Sequence, residues 1–136
     1  MQTILRWNKD YELGIPIIDE QHKKLVSIIN RMESYRNTEN CAQNIDQIFL
    51  ELVNYSNYHF TIEETAMEKS KYPRLQIHRA SHDIFIQKIH EFNVKSKKDN
   101  CFSLTETINF LYDWLIDHIM VEDQNYVSSI RHLFVK

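Results

Sequence analysis

Turn-forming residues are scarce in this chain of 136 residues, which contains one glycine, Gly14, and two prolines, Pro16 and Pro73. Hairpins and closely spaced short strands depend on such residues at their turns. Their scarcity argues against a β-rich fold. The sequence therefore predicts an all-α protein.

The sequence also lacks the long basic runs of nucleic-acid-binding proteins and the long apolar runs of membrane proteins. The formal net charge is −3 and no basic run exceeds Lys97-Lys98, so the chain lacks the electrostatic footprint of a nucleic-acid-binding protein. No apolar run approaches the roughly 18 residues of a membrane span, and Arg6, Lys9 and Asp10 interrupt any apolar signal core. We expect no nucleic acid, no membrane insertion and a cytoplasmic location.

Cysteine occurs only twice, as Cys41 and Cys101, and the two residues lie in different segments without CxxC spacing. This pattern favours free thiols in a reducing compartment over a disulfide framework or a zinc knuckle. A bridge between the two residues stays an open alternative.

Length and composition, with 43% hydrophobic and 26% charged residues, indicate one domain over residues 1–136. Turn signals at 14–16, 37–40, 71–73 and 95–100 separate four predicted helices, at 18–36, 41–70, 74–95 and 103–130. The short connections predict an up-down-up-down antiparallel four-helix bundle. We expect three helix starts to carry a recognisable signal: Asp19 as a cap, Pro73 in a first turn, and Ser103 with Glu106 as a capping box.

Apolar residues recur at alternating spacings of three and four along each predicted helix, and histidines interrupt these seams. The interrupting residues are His22, His59, His78, His82 and His118. A seam uses two positions in seven, so chance placement of all five has a probability on the order of two in a thousand. One such histidine alone is better explained as a hydrogen-bonded core residue. Five together predict a shared metal centre, which would also neutralise buried carboxylates.

Asp123 is the least regular candidate, because it follows His118 by five residues, about 140° around an ideal helix. It reaches the centre only if a π-bulge or a loosened turn occurs near residues 120–121. Taken alone, Asp123 is better explained as a solvated acid near a helix end.

The pairs His59/Glu63 and His78/His82 are each four residues apart, so both members of a pair lie on one helix face. Five imidazoles and two carboxylates are too many ligands for one tetrahedral zinc ion, so two metal ions are predicted. Nitrogen and oxygen donors leave iron, manganese, zinc and copper open.

These motifs, in this order, resemble those of the hemerythrin family, in particular its single-domain bacterial form. His22 lies in IIDEQHKKL, and the later segments read HFTIE, HRASH and HIMVED. Trp7 near the start, Tyr72-Pro73 before the third helix and WLIDHI before the last histidine are similar to the family as well. The resemblance covers nearly the whole chain.

The resemblance implies a di-iron centre with a bridging oxo or hydroxo group, in which Glu63 and Asp123 bridge the two ions. One iron would be bound by three histidines and the other by two, and these are His78, His82 and His118 for the first and His22 and His59 for the second. The second iron would keep one open coordination position, where dioxygen binds.

The resemblance also implies an apolar pocket for dioxygen, lined by Leu25, Phe60, Trp114 and Leu115. Ordinary core packing would explain the same four residues. An N-terminal extended arm, anchored by Trp7 and Tyr11, would pack across the bundle.

Several nearby residues receive no role in the site. Glu64 is expected on the solvated side or at an end of the site, Met67 and Met120 in the core, and His90 and His132 on the surface.

The function implied is reversible dioxygen binding for transport, storage or delivery, without catalytic turnover and with an unidentified oxygen-consuming acceptor. A sensor that acts on a domain of its own chain is not expected, because the chain ends at Lys136 soon after the bundle. A sensor acting in trans stays possible. A di-iron enzyme reducing peroxide or nitric oxide would need a polar proton donor, and the predicted pocket offers none. A metal-storage or zinc-binding bundle would use the same ligands without oxygen chemistry.

Overall fold

A computed structural model describes residues 5–36 and 38–134 as an antiparallel bundle of four helices, as predicted. The first three are α1 (Pro16–Met32), α2 (Cys41–Lys69) and α3 (Leu75–Lys98). The fourth consists of α4 (Leu104–Asp117), a π-helix (His118–Asp123) and α5 (Gln124–Ile130). Short 3₁₀ turns lie at Lys9–Tyr11, Glu33–Tyr35 and Arg131–Leu133.

The start of α1 differs from the prediction in its capping residue. The helix begins at Pro16, whose fixed φ and missing N–H suit a first turn. Asp19 lies inside the helix, and its carboxylate accepts hydrogen bonds from the backbone N–H groups of Leu13 (2.7 Å) and Gly14 (3.2 Å). Asp19 therefore fastens the preceding loop to α1 rather than capping the helix.

The starts of α3 and α4 also differ from the prediction. Pro73 precedes α3, which begins at Leu75. Ser103 occupies the N-cap position of α4 with a ψ of 7°, and its side chain makes no capping bond because a cap requires a more extended backbone. Glu106 pairs with Lys95 at 3.3 Å instead of completing a capping box.

The connections at both ends of α3 avoid glycine by placing other residues in the left-handed region. Lys71 has a φ of 56°, and the next N–H, from Tyr72, donates to Met67 at 2.9 Å. Asn100 has a φ of 50°, and the N–H of Cys101 donates to Ser96 at 2.8 Å. Both are Schellman closures, which explains how the chain reverses direction with so few turn residues.

The core follows the predicted seams. Large apolar side chains from all four helices are fully buried, and they include Ile18, Leu25, Leu52, Phe85, Leu111 and Leu115. Met67 is buried as expected, but Met120 is 42% exposed, so its assignment to the core was wrong. The π-helix turns Met120 outwards. His90 and His132 are exposed, as predicted.

Cys41 and Cys101 form a disulfide, so the expectation of free thiols was wrong. Cys41 is the first residue of α2, and Cys101 follows the end of α3. Because α2 and α3 are antiparallel, these two helix ends lie at the same end of the bundle, and the Cα atoms are 6.0 Å apart. The argument for a reducing, cytoplasmic compartment loses the support that it drew from free thiols.

The N-terminal segment packs beside α1. Asn30 donates its side-chain N–H to the carbonyl of Leu5 at 3.0 Å and accepts the Leu5 N–H at 3.2 Å. Trp7 and Tyr11 are half-buried against the core, and their rings meet edge to face at 5.4 Å. Within the described residues, we find no helix that combines the length and the apolar character of a membrane span.

Candidate metal centre

The seven predicted ligands come from all four helices of the bundle. Every one is buried: His22 on α1, His59 and Glu63 on α2, His78 and His82 on α3, and His118 and Asp123 on the π-helix. Seam positions point inwards in a bundle, so the predicted periodicity is what directs these polar groups into the interior.

The donor atoms form two groups that share one residue. Glu63, His78, His82 and His118 offer ligand atoms within 4.8 Å of one another, and so do His22, His59 and Glu63. The two groups correspond to the three-histidine and two-histidine metal positions expected from the sequence. Their common member is the carboxylate that would have to serve both ions.

Asp123 lies between the same two groups. Its Oδ2 is 3.2 Å from His22 Nε2, and its Oδ1 is 3.0 Å from both His78 Nε2 and His118 Nε2. One carboxylate oxygen therefore faces each side, as a bridging carboxylate requires.

Glu63 has a similar arrangement with longer distances. Its Oε1 is 3.3 Å from the Nε2 atoms of His59 and His82, and its Oε2 is 3.7 Å from His22 Nε2. Glu63 thus contacts imidazoles from both groups.

The π-helix is what brings Asp123 into this arrangement. It covers His118–Asp123 and replaces the regular α-helix over the interval where a bulge was predicted. With the wider turn, two residues five positions apart both point inwards and are both buried. The predicted irregularity is therefore confirmed.

Many buried donor and acceptor atoms of the centre have no hydrogen-bond partner among the described residues. They are the Nε2 atoms of His22, His59 and His78, the Nδ1 atoms of His22 and His118, Oε1 of Glu63, and both carboxylate oxygens of Asp123. Buried polar atoms normally find a partner, because leaving them unpaired costs about 1–3 kcal/mol each. Unpaired atoms that converge from four helices are the arrangement that metal ions would satisfy.

The distance between two imidazole nitrogens supports the same interpretation. His82 Nε2 lies 3.1 Å from His118 Nε2. Two nitrogens bound to one ion at about 2.1 Å each, at right angles, would be about 3 Å apart. The donor set, five nitrogens and two carboxylates, therefore fits two cations with a preference for nitrogen and oxygen ligands.

The charges of the centre compensate one another when no metal is bound. Burial alone would lower the pKa of His22, but attraction to the nearby carboxylates of Asp123 and Glu63 outweighs it and raises this pKa to about 9. Burial would raise the pKa of Asp123 and so would the charge of Glu63, but His118 and His22 hold that pKa below its usual value. Protons on imidazoles thus neutralise the carboxylates, and metal ions would replace those protons.

Three polar residues behind the imidazoles were missed by the sequence reasoning. Gln21 Oε1 lies 2.6 Å from His59 Nδ1, Glu64 Oε2 lies 2.7 Å from His82 Nδ1, and Glu122 Oε2 lies 3.3 Å from His118 Nδ1. Glu64 is partly exposed, as expected, but it was given no role, and its contact with His82 was not foreseen. Spacing offered a signal only for Glu122, which follows His118 by four residues and therefore shares its helix face.

Tyr126 was also missed. It is fully buried on α5, its hydroxyl donates a hydrogen bond to Glu63 Oε2, and its ring stacks on that of His78 at 5.2 Å. Burial and the nearby charges of Asp123 and Glu63 raise its pKa well above the ordinary value for tyrosine. A neutral, proton-bearing group therefore lies beside the centre, where no polar group was expected.

Two aromatic side chains of the predicted pocket contact imidazoles of the centre directly. Phe60 stacks on His82 with centroids 3.8 Å apart, and Trp114 stacks on His118 at 4.5 Å. Leu25 and Leu115 are fully buried, each three residues along its helix from a site histidine, His22 and His118 respectively. Phe60 and Trp114 thus cover two imidazoles of the three-histidine side with apolar surface, and Leu25 lies near His22 of the two-histidine side.

Comparisons with known proteins agree with this geometry. The sequence model of the Hemerythrin HHE cation binding domain matches residues 13–130. The chain is 35% identical over 129 residues to a bacteriohemerythrin of Pseudomonas aeruginosa, covering 94% of this chain and 82% of that protein. It is 33% identical over 126 residues to a bacteriohemerythrin of Clostridium acetobutylicum, covering 90% of this chain and 98% of that one. A crystal structure of wild-type hemerythrin, 25% identical, superposes with a TM-score of 0.81 over 94% of this chain and 98% of that chain.

Proposed function

Because this chain belongs to the hemerythrin family, we propose that it binds dioxygen reversibly at a non-haem di-iron centre, for oxygen transport, storage or delivery. The observation that carries the proposal is the convergence of seven buried nitrogen and oxygen donors in two groups that share Glu63. Such a cluster is costly to bury unless it holds metal ions.

In this proposal, the three-histidine position holds one iron and the two-histidine position holds the other. Glu63 and Asp123 bridge the ions, which is supported by the way their carboxylates face both groups. The residues of the first position are His78, His82 and His118, and those of the second are His22 and His59. Bound iron would supply the electrons that dioxygen takes up on binding and returns on release.

The two-histidine position is the one proposed to receive dioxygen. It has one imidazole fewer than its neighbour, so it keeps a free ligand position when both carboxylates bridge. The side chains that we propose around this space are Leu25, Phe60, Trp114 and Leu115. Their role would be to keep water and acids away from the bound metal and dioxygen.

A second function has support from one observation. The Tyr126 hydroxyl is a proton donor within the buried centre, and a di-iron enzyme that reduces peroxide or nitric oxide would need such a group. The hydroxyl proton of Tyr126, however, is already engaged in the hydrogen bond to Glu63, which is a proposed metal ligand. This engagement favours a structural role for Tyr126 and hence the carrier function.

The proposal is tested by loading the metal-free protein with iron(II) under anaerobic conditions, followed by metal analysis and visible spectroscopy. We expect two irons per chain and a colour that develops in air, disappears when oxygen is removed and returns on the next exposure. Conversion in one cycle to an oxidised form that no longer responds to oxygen would favour the enzyme or a sensor acting in trans. Preferential retention of zinc, without colour, would favour metal storage.

A further inference from the structure

A series of charged side chains lies on the Nδ1 side of the His82 imidazole. His82 Nδ1 lies 2.7 Å from Glu64 Oε2, and the other carboxylate oxygen of Glu64 accepts a hydrogen bond from Arg79 Nε at 3.2 Å. Arg79 also donates to Glu68 at 3.2 Å. Glu64 and Glu68 lie on α2, whereas Arg79 and His82 lie on α3, so the chain of contacts crosses between two helices.

The short contact between Glu64 and His82 determines which nitrogen of the ring can bind metal. A carboxylate accepts a hydrogen bond and cannot donate one, so Nδ1 must carry the proton and Nε2 must present its lone pair to the centre. The negative charge also makes Nε2 a stronger donor to a metal ion. Because Arg79 holds Glu64 from its other side, the carboxylate is fixed in this position.

The imidazoles of the two-histidine position lack such support. His59 Nδ1 faces the neutral amide oxygen of Gln21 at 2.6 Å. His22 Nδ1 is buried and has no hydrogen-bond partner among residues 5–36 and 38–134. An amide fixes the orientation of a ring but adds no negative charge.

The three-histidine side has a second carboxylate behind it. Glu122 Oε2 lies 3.3 Å from His118 Nδ1 as an ion-pair contact without hydrogen-bond alignment, and Ser81 donates a hydrogen bond to the other oxygen of Glu122 at 3.0 Å. Among the described residues, the carboxylates that contact Nδ1 atoms of the site histidines therefore lie on the three-histidine side.

We infer that this one-sided arrangement adds to the extra imidazole in making the three-histidine position the tighter of the two metal sites, and that Glu64 is the positioning residue for His82. The inference rests on the ligand set of the proposed function but needs neither iron nor dioxygen. It predicts that the centre loads in a fixed order, with the first ion at His78, His82 and His118.

The order of loading is measured by titrating the metal-free protein with zinc(II) against a competing chelator while recording histidine ¹⁵N resonances. We expect the first equivalent to shift the resonances of His78, His82 and His118, and the second to shift those of His22 and His59. First binding at the two-histidine position, or simultaneous filling of both, would overturn the inference.

The role of Glu64 is tested by Glu64→Gln, which keeps the size of the side chain and removes its charge. We expect about a 10- to 100-fold loss of zinc affinity at the three-histidine position, the usual effect of removing a residue that supports a metal ligand. The affinity of the two-histidine position should stay the same.

Two matched variants separate this role from a general loss of stability. Glu68→Gln removes a carboxylate that contacts Arg79 but no histidine, and it should leave both zinc affinities unchanged. Gln21→Glu places a carboxylate behind His59 and should raise the affinity of the two-histidine position. Equal effects of Glu64→Gln and Glu68→Gln on zinc affinity would contradict the assignment of Glu64. If zinc loads in the expected order but the iron-loaded protein never takes up oxygen reversibly, only the proposed function fails.

Discussion

Tyr126 and Glu63 are joined by a hydrogen bond inside the bundle, with the tyrosine hydroxyl as donor and the carboxylate shared by both donor groups as acceptor. The tyrosine ring also stacks on His78. One side chain from α5 therefore contacts the carboxylate from α2 that belongs to both donor groups and an imidazole from α3. The position of Tyr126 couples the packing of the last helix to the geometry of the centre.

Removing this hydroxyl should destabilise the metal-free protein. Tyr126→Phe leaves a buried oxygen of Glu63 without its donor, so we expect the free energy of unfolding to fall by about 1–3 kcal/mol. Urea denaturation in the presence of a chelator measures the change. Tyr58→Phe, at a largely exposed tyrosine, serves as control and should have almost no effect. Equal stabilities of the Tyr126 variant and the wild-type protein would show that the hydrogen bond does not form in solution.

His59→Ala should reduce the metal content from two irons per chain to about one. The two-histidine position would keep only His22 and the bridging carboxylates, whereas the other position keeps all three imidazoles. Metal analysis after iron loading and desalting gives the ratio. The control is His90→Ala, because His90 is exposed and off the seam. A ratio of two in the His59 variant would contradict the proposed ligand set.

Leu115→Ser should speed the autoxidation of the oxygenated protein, because a hydroxyl at this fully buried position brings water and a hydrogen-bond donor into the proposed pocket. The rate is followed as the decay of the visible spectrum. The substitution will also cost about 2–5 kcal/mol of stability through lost packing.

A matched control separates these two effects. Leu52→Ser removes an equally buried leucine that lies seven residues, or about 10 Å along α2, before His59. It should lower stability by a similar amount without changing the autoxidation rate. Similar rates in both leucine variants would show that Leu115 does not line the oxygen pocket.

The metal-free protein should be most stable in mildly acidic solution. The pKa of His22 is about 9 in the folded chain and about 6.5 in the unfolded chain, so its stabilising charge is fully present below pH 6.5 and is lost as the pH rises through 9. The folded-state pKa values of Glu63 and Asp123 lie below their ordinary values. Their contribution is present above about pH 4 and is lost as the pH falls.

Urea midpoints measured in chelator between about pH 4 and pH 9.5 should therefore pass through a maximum near pH 5–6.5. Bound zinc should abolish the decline on the alkaline side, because it displaces the proton of His22 and binding is itself favoured at higher pH. Stability that stays constant between pH 6.5 and 9 in chelator would show that His22 is not protonated in the folded metal-free chain.

The Cys41–Cys101 disulfide should add about 4 kcal/mol to the free energy of unfolding, because it closes a loop of 60 residues in the unfolded chain. The double variant Cys41→Ser with Cys101→Ser, and the reduced wild-type protein, should both lose this amount in urea denaturation. Zinc stoichiometry should stay at two, because Cys41 lies 18 residues, or about 27 Å along α2, from His59. A loss of zinc on reduction would mean that the two ends of the bundle are coupled.

The sequence predicts those parts of the centre that depend on periodicity. The seam positions of His22 and His59 already require burial, and the five-residue interval between His118 and Asp123 already requires an irregular helix. Both follow from the geometry of one helix at a time. The bundle and the buried cluster therefore follow from the sequence alone.

The residues behind the imidazoles could not be predicted in the same way. The contact between Glu64 and His82 joins different helices, so it depends on their rotation and relative height, which no local pattern gives. Tyr126 reaches Glu63 only because α5 follows a π-helix. Lys71 and Asn100 end helices in the left-handed conformation that glycine usually adopts. Because position 100 is not glycine, the sharp turn that places Cys101 beside Cys41 could not be recognised from the sequence.

The π-helix adds one residue to the last helix between His118 and Asp123, and this extra residue determines which later side chains face the centre. Asp123, Tyr126 and Ile130 are all buried, and each lies one residue later than a regular helix continuing from His118 would place an inward-facing side chain. Deleting one residue between His118 and Asp123 would rotate every later side chain by about 100° about the helix axis. Such a deletion would withdraw a carboxylate, a phenol and a core isoleucine together. The spacing between these two positions is thus as much a determinant of the centre as the identity of the residues themselves.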